Sequence, residues 1–314
     1  MKMAIFNLKV LAIVALLANT MADGLSMNYY VITCPIADII IKNTVRTALI
    51  SDPTLSGPLL RMHFHDCFVE GCDGSILIDS TKNNTAEKDS PANLSLRGYE
   101  IIDAAKEALE RQCPGVVSCA DILAMAARDA VFFSGGPYYE IPKGRKDGWR
   151  SKIEDTVRLP PPNLNSTELI DMFSRRGFSA REMVALSGAH TLGVARCLSF
   201  KSRLNRNADP TLDPQFAKTL SATCSKGDMA EQPFDSTRTV FDGQYYRALQ
   251  RGTGVLFSDQ TLFVGPATRA FVNGYAMNPA SFFLDFQRSM VKMGTLDVKE
   301  GPNGEVRDNC RRVN

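Results

Sequence analysis

Residues 61–73 read Arg61-Met62-His63-Phe64-His65-Asp66-Cys67-Phe68-Val69-Glu70-Gly71-Cys72-Asp73. Two of the chain's three histidines lie here, and the third is His190. If the first part of this stretch is helical, Arg61 and His65 sit one turn apart on one face, while His63 and His65 point to nearly opposite sides. If it is extended, His63-x-His65 could instead begin a zinc site, although no third ligand of the usual kind lies nearby. A plain surface arginine–histidine pair is the third alternative.

A neutral histidine beside a fixed cation suits cleavage of a peroxide bond. The histidine takes a proton from the bound peroxide and returns it to the departing oxygen. The arginine stabilises the negative charge that develops, and Phe64 supplies an apolar wall. Directly after this pair, Asp66, Val69, Gly71, Asp73 and Ser75 alternate oxygen donors along a glycine-containing loop. That pattern suits calcium, although it is not an EF-hand, and a simple acidic turn would look similar. A disulfide between Cys67 and Cys72 would pin the loop. His190 lies in Leu186-Ser187-Gly188-Ala189-His190-Thr191-Leu192-Gly193, at the end of an apolar helix. Small neighbours leave room for a large flat group, and one such histidine can hold a haem iron. A buried core histidine is the alternative.

Away from these segments the pattern is helical. Ile36–Ser51, Tyr99–Cys113, Cys119–Phe133, Pro214–Thr223, Gly243–Gln250, Pro266–Met277 and Phe282–Met293 carry helical signals. Ser118 is placed to cap the helix from Cys119, and Gly135-Gly136 to stop it. Asn165 with Glu168, and Ser179 with Glu182, have capping-box spacing. Strand signals are few and short. The run Leu159-Pro160-Pro161-Pro162 breaks the chain near its middle and can join two lobes. The expected fold class is mostly α.

The chain has 314 residues, with 36 basic and 34 acidic side chains and a net charge of +2. Without a basic stripe, nucleic acid is not an expected partner. Lys2 and Lys9 flank the apolar run Val10–Ala18, and small residues follow at Thr20, Ala22 and Gly24. This reads as a signal peptide over 1–22, although a buried N-terminal helix is the alternative. No later segment is long and apolar enough to span a bilayer. The eight cysteines, an even count, fit an exported chain with four disulfides. Sequons begin at Asn83, Asn93 and Asn165. Asn83 and Asn165 lie in polar, turn-like stretches.

Taken together, the chain resembles the secreted plant haem peroxidases, class III of their superfamily. The likeness runs from about Gly24 to the C-terminus and rests on Arg61–Asp73, Val117–Asp121 (VSCAD), Leu186–Gly193 (LSGAHTLG) and Ser258-Asp259-Gln260. It implies a two-lobed helical domain over 23–314, with one haem b between distal and proximal lobes, and two calcium ions. Arg61 and His65 would be the distal pair, and Asn93 would hydrogen-bond His65. Asn93 is therefore expected to stay unmodified despite its sequon, its amide being needed inside a pocket. Glu87 would tie that network to the distal calcium, held by Asp66, Val69, Gly71, Asp73 and Ser75. His190 would ligate the iron, Asp259 would accept its other ring N–H, and Phe234 would pack beside it. The proximal calcium would use Thr191, Asp235, Thr237, Val240 and Asp242. This segment is one residue shorter than the common spacing, so the choice between Ser236 and Thr237 stays open. Lys146 stands where the family usually has a second arginine, with little effect expected on the chemistry. Pro160 matches a substrate-side proline.

The resemblance also implies the disulfides Cys34–Cys113, Cys67–Cys72, Cys119–Cys310 and Cys197–Cys224. The implied enzyme is a secreted monomer, extracellular, in the cell wall or in the vacuole, and off the membrane once its signal is cleaved. It would reduce hydrogen peroxide and oxidise small phenolic donors by one-electron steps, in lignin or cell-wall, phenolic or auxin oxidation or under oxidative stress. The haem would carry the redox chemistry. Two other readings are a haem-binding scaffold that lost activity, and a zinc-dependent hydrolase built on His63 and His65.

Overall fold

In a computed structural model the described residues are 24–204 and 209–314, and the expected signal peptide lies outside them. Among the described residues no helix is long and apolar enough to cross a membrane. The distal half is built from α1 (Ala37–Ser51), α2 (Ser56–Val69), α3 (Tyr99–Glu110) and α4 (Cys119–Phe133). α4 occupies the expected residues. The Ser118 hydroxyl accepts from Asp121 N–H at its start, and Gly135, at φ +92°, lets the chain turn away at its end. α3 stops at Glu110, short of the expected Cys113.

The proximal half continues with α5 (Ser166–Ser174) and α6 (Ala180–Ser187). Both begin on the expected capping boxes, formed in both directions by Asn165 with Glu168 and Ser179 with Glu182. Next come strand β1 (Val194–Arg196), the one-turn α7 (Cys197–Phe200), α8 (Pro214–Cys224) and strand β2 (Glu231–Pro233). β1 and β2 pair antiparallel, Ala195 opposite Gln232, the only two-stranded sheet among the described residues. The remaining helices are α9 (Gln244–Gln250), α10 (Phe257–Val264), α11 (Pro266–Met277) and α12 (Pro279–Met293).

Two of these differ from the sequence-based expectation. α10 was not expected, because Ser258, Asp259 and Gln260 interrupt its apolar pattern; Asp259 and Gln260 are buried and hydrogen-bonded inside. α12 starts three residues before Phe282, since Asn278 caps Ser281 N–H and Pro279 takes the first helical position.

One apolar core runs through both halves, from Ile41 and Leu59 to Val184, Leu262 and Phe286. A smaller one, including Ala195, Phe200, Leu220 and Val255, sits under the β1–β2 excursion. The halves meet where α2 crosses the chain after His190. Gly57 on α2 has no side chain there, and a Cβ would come 3.2 Å from the Leu192 carbonyl and 3.3 Å from the Gly193 Cα. That close approach sets the distal helix directly against the segment that carries His190. All four expected disulfides are formed: Cys34–Cys113, Cys67–Cys72, Cys119–Cys310 and Cys197–Cys224. No described cysteine is free.

Candidate active site and cation sites

Because Arg61 and His65 are four residues apart on α2, they meet on one face. Arg61 Nε–H donates to His65 Nε2 at 3.1 Å. That bond makes Nε2 an acceptor and places the ring proton on Nδ1, which lies 2.5 Å from Asn93 Oδ1. The Asn93 amide in turn donates to the Glu87 carbonyl at 2.7 Å. Both polar groups of Asn93 are therefore committed, and its side chain is buried. Burial, reinforced by the Arg61 charge, holds the His65 pKa well below the usual histidine value, so the ring is neutral, with its one basic lone pair at Nε2 facing Arg61. Arg61 is anchored at its far end by the Ser95 hydroxyl at 2.7 Å and the Ala92 carbonyl at 2.8 Å. Phe64 packs edge-on beside His65, their ring centroids 5.6 Å apart.

His63 faces the other way. It is buried 3.6 Å from the Cys67 sulfur, which is bound in a disulfide, and burial drops its pKa to about 3. Helical geometry thus separates His63 from His65, and the zinc alternative fails. Among the described residues neither His63 nor His65 belongs to a group of three His, Cys, Asp or Glu side chains able to hold a metal.

His190 sits in the 3-10 turn Gly188–Thr191 that follows α6. Its Nδ1 pairs with Asp259 Oδ1 at 2.7 Å, and the Phe234 ring stacks on it at 4.3 Å, nearly parallel at 2°. The same Asp259 oxygen accepts from the Tyr245 hydroxyl at 2.9 Å. Tyr245 was not anticipated from the sequence. Nothing local marks it, and it reaches Asp259 only through the packing of α9 on α10. Gly188 is required for space, because a Cβ there would lie 2.3 Å from the Tyr246 hydroxyl and 2.4 Å from the Phe282 ring.

The arrangement fits a haem. His190 has a carboxylate on one ring nitrogen and no hydrogen bond on the other, the ligand set an iron porphyrin uses. His65, the neutral base beside the Arg61 cation, is near enough to His190 for the two to interact electrostatically.

Two clusters fit hard cations. On the distal side Asp66, Asp73, Ser75 and Glu87 are all buried. The Ser75 hydroxyl and both Glu87 carboxylate oxygens have no hydrogen-bond partner. Burial, then repulsion from Asp66, pushes the Glu87 pKa up to about 9, and burial also raises Asp66 and Asp73. Carboxylates crowded in this way are the environment a divalent cation relieves. The Gly71 and Val69 carbonyls lie on the same loop; Val69 accepts from Arg158 and Gly71 from Asp73 N–H, which leaves each a second lone pair. Gly148 crosses so close that a Cβ would lie 2.3 Å from Asp73 Oδ2.

On the proximal side the Thr191 hydroxyl is 2.7 Å from Asp235 Oδ2, 3.1 Å from Asp242 Oδ1 and 3.5 Å from the Val240 carbonyl. Thr237 completes the group, its N–H and hydroxyl on Asp235 Oδ1 at 2.7 and 3.1 Å. The shortened loop closes with Thr237 turned inward, while Ser236 is exposed. Pro160 is half-buried, just after the 3-10 segment Ile153–Arg158. Lys146 is half-buried, and its backbone bridges Lys299 away from both histidines.

The fold and these paired histidine faces define a helical haem peroxidase. A family profile described as peroxidase matches residues 41–278. The chain is 68% identical to Peroxidase 47 of Arabidopsis thaliana over 293 residues, 93% of this chain and 90% of that protein. It is 48% identical to Peroxidase 64 of Arabidopsis thaliana, with 98% of each chain covered, and 48% identical to Peroxidase 5 of Vitis vinifera, with 92% of each covered. The chain belongs to the class III plant peroxidase family. It is a haem peroxidase that reduces hydrogen peroxide at the expense of donor substrates, in a family that carries haem and calcium.

Proposed function

We propose that the protein is a secreted, monomeric peroxidase over residues 23–314. It would hold one haem b on His190 and two calcium ions, with small phenols as one-electron donors. The observation that carries this reading is the His65 tautomer: Asn93 holds the proton on Nδ1, so Nε2 is the base of a neutral ring and the Arg61 cation stands beside it. When bound, the haem supplies the redox centre. His65 Nε2 accepts one proton from hydrogen peroxide and delivers it to the departing oxygen, which leaves as water. Arg61, held by Ser95 and Ala92, stabilises the charge that develops on that oxygen. Two phenolic donors would each give up one electron and one proton, and the second oxygen would also leave as water. Asp259 fixes the His190 ring and makes it a stronger donor. Phe64 and Phe234 exclude water above and below, and Pro160 borders the donor's approach.

Glu87 links the distal cation site, formed by Asp66, Val69, Gly71, Asp73 and Ser75, to Asn93 and thereby to His65. Thr191 joins His190 to the proximal site with Asp235, Thr237, Val240 and Asp242. The signal peptide reading of 1–22, the sequons and the four disulfides support export. The test is the spectrum of the purified protein together with guaiacol oxidation with and without peroxide. A Soret band with peroxide-dependent turnover is expected; a Soret band without turnover would mean a haem-binding scaffold.

A further inference from the structure

Tyr245 lies on α9 with its ring almost fully buried, 1% exposed. The ring packs edge-on to His190, centroids 6.0 Å apart at 82°, and against Tyr246 at 5.1 Å. Its hydroxyl makes one hydrogen bond, to Asp259 Oδ1 at 2.9 Å. That oxygen is the one His190 Nδ1 meets at 2.7 Å, whereas the second Asp259 oxygen accepts the Leu256 N–H at 3.2 Å. Two donors therefore compete for one carboxylate oxygen away from water.

We infer that Tyr245 is a positioning residue that moderates the pull of Asp259 on the His190 ring, and through it the balance between ferric and ferrous haem. The inference rests on the reading of His190 as the iron ligand. Each donor a carboxylate oxygen accepts withdraws electron density from it and weakens its hold on the other. The carboxylate and the phenol are both buried, so solvent screens their hydrogen bond little, and hydrogen bonds to charged groups are the strong ones. With the phenol present, the His190 proton stays more firmly on Nδ1 and the ring is a weaker electron donor. Without it, Asp259 draws the proton harder, His190 gains imidazolate character, and ferric iron is favoured. A purely structural role would need only the ring, since the aromatic contacts to His190 and Tyr246 do not involve the oxygen.

The test is Tyr245→Phe in the haem-loaded protein, read by the ferric–ferrous midpoint potential and by the iron–histidine stretch of the ferrous form in resonance Raman. A more negative potential and a higher stretching frequency are expected. A tenfold change in the ferric-over-ferrous preference corresponds to about 59 mV. Incorporating 3-fluorotyrosine at position 245 strengthens the donor while keeping the ring, and both readouts should move the opposite way. If both proteins bind haem and neither readout moves, the inference is wrong. If Tyr245→Phe loses haem, the fluorotyrosine protein decides alone: a positive shift supports the inference, and no shift overturns it. Absence of an iron–histidine line in the wild type, or its persistence in His190→Gly, would bring down the ligand reading and this inference together.

Discussion

Two side chains and one backbone carbonyl set the state of the His65 ring: Arg61 on one ring nitrogen, Asn93 on the other, and the Glu87 carbonyl behind Asn93. Burial keeps the ring neutral below the ordinary histidine pKa of about 6.5. The rate constant for reaction with peroxide should therefore stay flat as pH falls through 6.5. A loss with its midpoint there would show that His65 titrates normally and that the buried pocket is misassigned. Asn93 should carry no sugar despite its sequon, because its amide nitrogen is already committed to Glu87. Glycopeptide mapping checks this. Asn83 is exposed, and Asn165 caps α5 through its oxygen, which leaves its nitrogen free for a glycan. The pair on α2 was legible from spacing alone once helix was assumed, as i and i+4 must share a face. The role of Tyr245 was not, since its 14-residue separation from Asp259 carries no local pattern.

Among the elements, the 3-10 turn Gly188–Thr191 joins His190 to the Asp235 and Asp242 cluster proposed as the proximal cation site. Gly188 gives the room, and Thr191 ties the turn to Asp235 and Asp242. Gly188→Ala should overpack this point against Tyr246 and Phe282, at a cost of about 1–3 kcal/mol, and weaken haem retention. Thermal unfolding and haem release rates would show it, and unchanged values would mean that the turn is not held by this contact. Helix starts were readable where capping obeys local rules, at Ser118, Asn165 and Ser179. α10 was not, because its buried Asp259 and Gln260 look like surface residues until the histidine and the Gly254 N–H that they bind are in place. Which cysteines pair and what His190 holds came from resemblance, since 105 pairings satisfy the count of eight.

For the whole molecule, cross-links and cations set stability. Cys34–Cys113 spans 79 residues and Cys119–Cys310 spans 191, and each should contribute roughly 4–5 kcal/mol in the chain-entropy treatment. Reduction should accordingly lower the melting temperature sharply. The distal carboxylates add a pH dependence. Glu87 has its folded pKa raised to about 9, so without a cation the folded state holds a proton that the unfolded chain releases near its ordinary value. That contribution is complete below the unfolded pKa and is lost as pH rises toward 9. His63 and His65, held neutral in the folded state by burial, oppose this trend only near and below the ordinary histidine pKa of about 6.5. In chelator, stability should thus fall between pH 6.5 and 9, and calcium should remove the trend; equal slopes with and without calcium would contradict the distal site.

The central claim is that His65 moves the proton during peroxide cleavage while His190 holds the haem. It is tested most directly by mixing peroxide with haem-loaded wild type and His65→Leu and following the Soret band in stopped flow. The variant should keep its Soret absorbance and react at least about 100-fold more slowly, the lower end of what a general acid–base group supplies. A variant that reacts at the wild-type rate would contradict the account.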